Sequence, residues 1–264
     1  MTVGRDAGTN AVQISADWYE KRAYNSKERF CSYWHQIDEV LKLEGQSVLE
    51  VGPGGGLVTS ELQRRGIDVL TLDIDHELAP DVIGSITAIP LPDGAVDVAL
   101  AAQVLEHLPL DEVVTALSEL ARVSRIGVVV SVPDQTPFVG GSYPLYFGLY
   151  IEGVRSALPT SRLAVIGLVL RRKVRLRDAL WARFVPATWA LGGGTWRAPV
   201  PVPHVPPEFE FDGQHYWELG TRALDLDQFL GLMSDAGLNN LNEFRVPENP
   251  WHRFVTGTVA AREY

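Results

Sequence analysis

The chain has 264 residues, with 33 acidic against 23 basic side chains and a formal net charge of −10 at pH 7. Its 46% hydrophobic and 21% charged residues are typical of a folded globular protein, which excludes a disordered chain, a collagen-like chain and a coiled coil. The acidic balance disfavours nucleic-acid binding, which needs a basic surface. Because Cys31 is the single cysteine, an intrachain disulfide and a thiolate metal site are excluded.

The sequence also predicts where the protein resides. Its first residues, MTVGRDAGTN, lack the basic and apolar regions of a secretory signal. The longest aliphatic runs fall short of the roughly 18 apolar residues that a membrane-spanning helix needs. We therefore expect a cytoplasmic protein.

Helices and strands alternate in the first half of the chain. A helix is predicted over 26–43, where one face carries Phe30, Trp34, Ile37, Val40 and Leu41. The elements that follow are predicted at 47–52 (strand), 55–66 (helix), 68–73, 81–87 and 95–102 (strands), 110–124 (helix) and 126–133 (strand). Such alternation indicates an α/β fold with a doubly wound, mostly parallel sheet. Ligands of these sheets bind at the carboxyl ends of the strands.

The alternation stops after residue 133 and returns near the end of the chain, with a helix predicted at 224–238 and strands at 241–246 and 252–261. A long irregular segment inside a domain is usually functional or has its own structure. We therefore predict three parts: an N-terminal helical cap (1–46), a Rossmann-like core (47–136 and 216–264) and an insertion (137–215).

A glycine-rich turn joins the first predicted strand to the helix after it. Gly52, Gly54 and Gly56 have the spacing G-x-G-x-G, and Glu50 stands two residues before the first glycine. The dinucleotide fingerprint G-x-G-x-x-G needs a third glycine where this chain has Leu57. Glycines let the backbone approach a ligand closely. Because Glu50 repels a pyrophosphate, the turn fits a cationic ligand better.

An acidic residue, Asp73, ends the second predicted strand. A carboxylate at this place can accept hydrogen bonds from both hydroxyls of a ribose. Asp75 is the alternative acid. An ordinary strand-to-helix turn with a capping aspartate is the plain interpretation, but the order of strand, glycine turn, helix, strand and aspartate favours a cofactor site.

Four blocks of the sequence resemble the class I S-adenosylmethionine-dependent methyltransferases, and within them the broad small-molecule group often called type 11. They lie at 50–56, 72–75, 89–98 and 104–108. The resemblance implies S-adenosyl-L-methionine as the cofactor and a seven-stranded sheet with helices on both faces and an antiparallel last strand. It also implies methyl transfer to a small-molecule acceptor, with O- or N-methylation left open.

The resemblance implies a cofactor site formed by Glu50, Gly52, Gly54, Gly56, Asp73, Ile74, Ser85, Ile86 and Gln103. The glycines would lie along the methionine part, with Glu50 near its amino group and Asp73 on the ribose hydroxyls. The family often has aspartate where this chain has Ser85. We therefore expect the adenine to be held by backbone groups and by packing against Ile86, with Gln103 on the floor of the site.

Two histidines are the candidate catalytic residues. His107 follows the fourth predicted strand at the rim of the expected site, and an imidazole titrates near neutral pH, as a general base for a hydroxyl acceptor must. His215 is the second candidate, in a segment that precedes the last helix. The plain interpretations are that His107 merely starts a helix and that His215 belongs to a packed aromatic loop.

No metal is expected at this place. Some related methyltransferases bind a divalent metal through an E-x-x-E-H stretch. Here Gln103 occupies the first position of the stretch 103–107, and an amide is a poor ligand for a hard cation.

The insertion is basic in an otherwise acidic chain. Residues 155–183 hold eight arginine or lysine residues and one aspartate. The segment is interpreted either as a solvated helical face or as a contact with an anionic substrate or an anionic membrane. We expect the insertion to form helices that roof the acceptor site. A lipid or prenylated acceptor and a non-catalytic S-adenosylmethionine-binding partner protein remain alternatives, and the oligomeric state is left open.

Overall fold

The structure, a computed structural model, describes residues 25–136, 139–141, 196–198, 206–246 and 248–260. Contacts between residues divide the chain into two compact units. The larger unit comprises Met1–Pro137 and Pro203–Tyr264, and the smaller one comprises Phe138–Val202.

Helices and strands alternate in the larger unit, as the sequence predicts. Its first part contains α1 (Lys27–Lys42), β1 (Ser47–Val51), α2 (Leu57–Arg64), β2 (Asp68–Asp73), β3 (Val82–Ile83), β4 (Val96–Ala102), α3 (Leu110–Val123) and β5 (Ser124–Pro133). The smaller unit contains β6 (Val139–Gly141) and β7 (Trp196–Ala198), which pair with each other antiparallel. The larger unit ends with α4 (Leu226–Asp235), β8 (Leu238–Arg245) and β9 (His252–Val259).

Seven strands of the larger unit form one sheet in the order β3-β2-β1-β4-β5-β9-β8. The strands from β3 to β5 pair in parallel, whereas β9 pairs antiparallel with both β5 and β8. The predicted α/β fold with a seven-stranded, mostly parallel sheet is therefore confirmed. From β1 the chain first builds β2 and β3 on one side and then places β4 on the other. Such a reversal of direction opens a crevice at the carboxyl ends of the central strands.

Helices cover both faces of the sheet. On one face, buried side chains of α3 and α4 join the sheet core, including Leu117, Leu120, Phe229 and Met233. On the other face, α1 and α2 contribute Ile37, Val40, Val58 and Leu62 to a second core. Helix α4 begins at Asp225, whose side chain accepts a hydrogen bond from the backbone N–H of Gln228 in a capping box.

The predicted apolar face of α1 is only partly right. Val40 is buried, but Phe30 and Trp34 are 48% and 58% exposed. The buried side of the helix includes Glu39 instead, whose Oε2 atom accepts a hydrogen bond from the hydroxyl of Thr256 on β9 at 3.1 Å. Because a hydrogen-bonded carboxylate can be buried at tolerable cost, hydrophobicity alone misplaced this face.

Several predictions concern residues outside the described ranges. They include residues 1–24 of the predicted cap, most of the insertion with its expected helices, and the basic segment 155–183. The predicted division into cap, core and insertion therefore stays a prediction. In the part of the chain that the structure describes, no helix has the length and apolar character needed to cross a lipid bilayer.

Candidate functional site

The carboxyl ends of the central strands open into a cavity of about 1350 Å³. All eleven predicted site residues line its wall: Glu50, Gly52, Gly54, Gly56, Asp73, Ile74, Ser85, Ile86, Gln103, His107 and His215. Pockets for drug-sized ligands typically enclose about 300–1,000 Å³, so this cavity has room for a nucleoside-sized cofactor and a second small molecule.

The glycine turn after β1 adopts a backbone conformation that favours glycine. Gly52, Gly54 and Gly56 have φ angles of 70°, 53° and 69°, in the left-handed region. A Cβ atom on Gly52 would lie 2.7 Å from Cγ2 of Val104, closer than atoms can pack. The turn is also tied to β2, because the N–H of Gly52 donates to the carbonyl oxygen of Leu72 at 2.9 Å.

Glu50 places a buried carboxyl group beside this turn. Its side chain is buried, and its Oε2 atom accepts a 2.5 Å hydrogen bond from the hydroxyl of Thr59 on α2. Burial raises the pKa of Glu50 to about 7, against the opposing effect of the Thr59 hydrogen bonds. The charged form of a carboxyl group in this buried environment is stabilised most by a nearby cation. The contact of Thr59 with Glu50 was not predicted from the sequence.

Asp73 and Asp75 present two carboxyl groups at the end of β2. Oδ1 of Asp73 accepts from the backbone N–H of Asp75 at 2.9 Å, and burial raises the pKa of Asp73. Oδ1 of Asp75 accepts from the N–H of Glu77, while its Oδ2 atom is buried and has no hydrogen-bond partner among the described residues. Both aspartates line the cavity, so each offers an oxygen to a hydroxyl-bearing ligand.

Ser85 and Ile86 follow β3. The Ser85 hydroxyl lies 2.8 Å from that of Thr87 and also accepts from the Thr87 N–H at 3.2 Å, so its hydrogen bonds are largely local. Ile86 is 5% exposed and packs into the core beneath the cavity. This wall is therefore mainly apolar.

Gln103 ends β4 in a left-handed conformation, with a φ of 57°. Its backbone N–H donates to the carbonyl of Ser131 at 2.8 Å, and its side-chain amide donates to the Ser131 hydroxyl at 3.3 Å. Non-glycine residues rarely adopt this conformation, and it is concentrated at functional sites. The sequence placed Gln103 at the site but gave no sign of this conformation.

Hydrogen bonds hold the segment before α4 against the 3₁₀ turn Leu105–His107 that follows β4. The N–H of Tyr216 donates to the carbonyl of Glu106 at 2.8 Å, and the indole N–H of Trp217 donates to the carbonyl of Leu108 at 3.1 Å. As a result, the rings of His107 and His215 meet edge to face, with centroids 5.1 Å apart. The structure thus brings the two predicted catalytic histidines together.

Different surroundings shift the pKa values of the two histidines in opposite directions. Burial lowers the pKa of His107, whose Nδ1 atom lies 2.9 Å from the carbonyl oxygen of Gln214. Burial also acts to lower the pKa of His215, but a 2.8 Å hydrogen bond to Oε1 of Glu218 and the neighbouring carboxylates outweigh it and raise this pKa. His215 is therefore the stronger base.

Glu106 is the least expected member of the site. Its side chain is 0% exposed, neither carboxylate oxygen has a hydrogen-bond partner among the described residues, and burial raises its pKa to about 8. One oxygen of Glu106 and one ring nitrogen each of His107 and His215 all lie within 4.8 Å of one another.

The sequence left three of these residues without a role. Glu218 stands three positions after His215, a signal that was present but not used. Glu106 precedes His107 in the stretch 103–107, for which the sequence predicts no metal. His252 was given no role, yet it lines the cavity, and burial lowers its pKa to about 3.

The sequence of the core matches known proteins. The profile of a family described as a methyltransferase domain matches residues 49–132. A protein of Mycobacterium sp. (strain JLS) named "Uncharacterized methyltransferase" is 31% identical over 154 residues, which is 54% of this chain and 60% of the relative. A protein of Mycolicibacterium smegmatis named "Probable S-adenosylmethionine-dependent methyltransferase" is 35% identical over 128 residues, or 42% of this chain and 49% of the relative.

Residues 49–132 match a methyltransferase domain, and the chain resembles the class I S-adenosylmethionine-dependent methyltransferases. A crystal structure of a "SAM dependent methyltransferase" from Archaeoglobus fulgidus shares the fold at 10% identity, with a TM-score of 0.51, over 92% of this chain and 99% of that one. The matches to the two mycobacterial relatives span less than two thirds of their lengths. The matched part of the methyltransferase domain includes the glycine turn, Asp73 and His107, whereas His215 and Glu218 lie beyond it.

Proposed function

We propose that this protein transfers a methyl group from S-adenosylmethionine to a hydroxyl group of a small-molecule acceptor. The proposal is supported by one observation above all. The cavity that is lined by the glycine turn and Asp73 is also lined by a histidine whose basicity is raised by a carboxylate partner, Glu218. The first set of groups suits the cofactor, and the histidine suits an acceptor that must lose a proton.

The cavity wall fits the parts of the cofactor. The buried Glu50 carboxylate complements the amino group of the methionine part. Asp73 complements the ribose hydroxyls, with the partnerless oxygen of Asp75 beside it. The remaining cofactor contacts are assigned to Gly52, Gly54, Gly56, Ile74, Ser85, Ile86 and Gln103.

When bound, the cofactor supplies a methyl group on a positively charged sulfur. The protein's main task is then to hold the acceptor oxygen in line with that methyl group. The lone pair on Nε2 of His215 accepts the hydroxyl proton, and Glu218 stabilises the resulting imidazolium through Nδ1. His107, whose pKa is lowered, stays neutral and helps to position the acceptor.

Calorimetry with S-adenosylhomocysteine and, separately, NAD tests the cofactor. We expect one equivalent of S-adenosylhomocysteine to bind and NAD not to bind, because Leu57 breaks the dinucleotide fingerprint. Binding of NAD alone would contradict the assignment.

Methyl-labelled cofactor incubated with paired alcohols, phenols and amines of matched skeleton tests the acceptor. We expect label on the hydroxyl compounds, and much less of it with Asp73→Ala at the same low cofactor concentration. Label on the amines alone would overturn the hydroxyl acceptor. Label only on prenylated or lipid compounds would favour the membrane alternative. Cofactor binding without transfer to any compound would favour a non-catalytic partner protein.

A further inference from the structure

Three side chains that line the cavity bring one possible ligand atom each close to the other two. They are the Glu106 carboxylate and the rings of His107 and His215, and the ligand atoms lie within 4.8 Å of one another. Glu106 is 0% exposed and has no hydrogen-bond partner for either oxygen in the described part of the chain. A buried carboxyl group without a hydrogen bond is costly, and its two oxygens are left to accept a ligand, so this geometry fits a cation.

Hydrogen bonds fix the orientation of both histidine rings. Nδ1 of His107 lies 2.9 Å from the carbonyl oxygen of Gln214, and Nδ1 of His215 lies 2.8 Å from Oε1 of Glu218. Because a carbonyl and a carboxylate only accept, each Nδ1 carries a proton, and in the neutral ring the lone pair is then on Nε2. Metal-binding histidines almost always donate their other N–H to such an oxygen.

The backbone holds the three residues in this arrangement. Glu106 and His107 are adjacent in the 3₁₀ turn after β4, and the Tyr216 N–H bonds to the carbonyl of Glu106 from the residue next to His215. A site that is held by main-chain hydrogen bonds before the ion arrives loses little entropy on binding.

We infer that Glu106, His107 and His215 bind a divalent first-row transition-metal ion, of which Zn²⁺ is the simplest. Two imidazoles and one carboxylate are a common ligand set for Zn²⁺ and for other ions of this class. A tetrahedral ion with bonds of about 2.0–2.1 Å needs ligand atoms roughly 3.4 Å apart. Small rotations of the three side chains are therefore enough to close the site.

Three protein ligands leave a coordination position for another molecule. The site lines the same cavity as the cofactor residues, so that position is open to an oxygen of the acceptor. A bound metal ion lowers the pKa of a coordinated hydroxyl. This role rests on the proposed function, whereas the binding site itself does not. Since a metal-bound nitrogen has no lone pair for a proton, His215 would not act as the base in an occupied site, and the proton of a metal-bound hydroxyl would pass to solvent instead.

The inference differs from the sequence-based expectation of no metal. That expectation rested on Gln103, the first position of a contiguous stretch. The three-dimensional arrangement draws its third ligand, His215, from a distant segment and does not use Gln103.

Titration of tag-free, chelator-treated protein with ZnCl₂ in a calorimeter tests the site, and CoCl₂ provides a spectroscopic readout. We expect one equivalent of ion to bind and visible ligand-field bands to appear with Co²⁺. Glu106→Gln should weaken Zn²⁺ binding by about 100-fold or more. Glu218→Gln changes a residue that supports His215 through Oε1 and accepts from Gln135 through Oε2, and it should weaken binding by about 10–100-fold. His76→Gln changes an exposed histidine outside the cavity wall and should bind as the wild type does.

Two further measurements keep the test decisive. In chelator, Glu106→Gln should unfold at the same temperature as the wild type or higher, because it replaces a buried carboxyl group that makes no hydrogen bond among the described residues with a neutral group of the same shape. Equal Zn²⁺ affinity of the wild type and Glu106→Gln, or wild-type binding weaker than about 0.1 mM, would overturn the inference. S-adenosylhomocysteine titration of the same samples reports separately on the proposed function.

Discussion

The imidazole rings of His107 and His215 meet edge to face, although one follows β4 and the other precedes α4. Their surroundings differ: burial dominates at His107 and lowers its pKa, whereas Glu218 and nearby carboxylates raise the pKa of His215. Neighbouring groups whose pKa values are pushed apart are typical of acid–base pairs in active sites. The relationship therefore favours His215 over His107 as the base, the reverse of the order that the sequence suggested.

The base assignment predicts the behaviour of three variants in metal-free buffer. His215→Ala should lower turnover by about 10²–10⁴ with S-adenosylhomocysteine affinity unchanged, and His107→Ala should lower it less. The base must be deprotonated, so the wild-type rate should rise with pH through a pKa above the ordinary 6.5. Glu218→Gln removes the charged partner that contributes most to raising the pKa of His215 and should shift this rise to lower pH. The pH profile of kcat/KM measures it, and equal profiles for wild type and Glu218→Gln would exclude His215.

The cofactor side of the site could be predicted from the sequence because its signals are local. The glycine turn and Asp73 lie within a single strand–helix–strand unit, where spacing along the chain fixes position in space. The acceptor side could not be predicted in the same way. The partnership of Glu106, His107 and His215 depends on main-chain bonds between the turn after β4 and a distant segment that precedes α4.

Buried polar groups are the second reason why the structure differs from the expectations drawn from the sequence. Glu39 on α1 and Glu106 after β4 are both buried, although hydrophobic patterns place charged residues outside. Lys42 and Thr256 bind the two oxygens of the Glu39 carboxylate, whereas no hydrogen bond among the described residues satisfies Glu106. The hydrophobic pattern therefore mispredicted the burial of Glu39, which has a structural role, and of Glu106, which belongs to the candidate site.

Ribose binding is tested by Asp73→Ala. Loss of charge-assisted hydrogen bonds costs roughly 2–4 kcal/mol, so S-adenosylhomocysteine affinity should fall by about 30-fold or more. Asp68→Ala, at the other end of the same strand, is the matched control and should bind normally. Calorimetry measures both. Normal binding by Asp73→Ala together with weak binding by Asp75→Ala would show that Asp75, and not Asp73, binds the ribose hydroxyls.

The buried Glu50 predicts a pH-dependent cofactor affinity. Its pKa of about 7 means that the free protein carries a protonated Glu50 below neutrality, whereas pairing with an ammonium group needs the carboxylate. S-adenosylhomocysteine affinity should therefore fall by up to about tenfold per pH unit below 7. Calorimetry across this range should show no such dependence in Glu50→Gln. The same slope in both proteins would exclude Glu50 as the titrating group.

The same group also affects the stability of the free protein. Since the folded-state pKa is raised from the ordinary 4.5, the folded state holds the proton more tightly than the unfolded chain does. The stabilising contribution is complete below pH 4.5 and is lost as pH rises through 7. Denaturant unfolding of the wild type should show this fall, and unfolding of Glu50→Gln should show less of it.

Two alanine substitutions in the glycine turn separate backbone strain from collision. Gly52 and Gly56 have nearly equal positive φ angles, so each alanine should cost about 1–2 kcal/mol of unfolding free energy. A Cβ on Gly52 also collides with Val104, whereas a Cβ on Gly56 has no atom within 4 Å. Overpacking should add about 1–3 kcal/mol in Gly52→Ala alone. Urea unfolding measures the loss of unfolding free energy in both variants. Equal losses would show that the Val104 side chain moves aside without an energetic cost.

A buried ion cluster at the end of β5 predicts a large stability effect. Asp134 is 1% exposed, and its Oδ2 atom accepts hydrogen bonds from Arg245 at 3.0 Å and Arg253 at 2.6 Å. These partners, with a backbone N–H from Thr136, outweigh burial and hold the pKa of Asp134 below its ordinary value. The cluster joins β5 to β8 and β9, so it supports the antiparallel side of the sheet next to the cavity.

Removing the charge leaves two largely buried guanidinium groups without their shared carboxylate. Asp134→Asn should therefore destabilise the fold by about 3–5 kcal/mol. Asp93→Asn is the matched control, because Asp93 also pairs with an arginine, Arg122, at 2.9 Å but is 61% exposed. Water screens that pair, so the control should lose less than about 1 kcal/mol. Urea unfolding at neutral pH compares the two variants, and equal losses would mean that burial does not strengthen the Asp134 cluster.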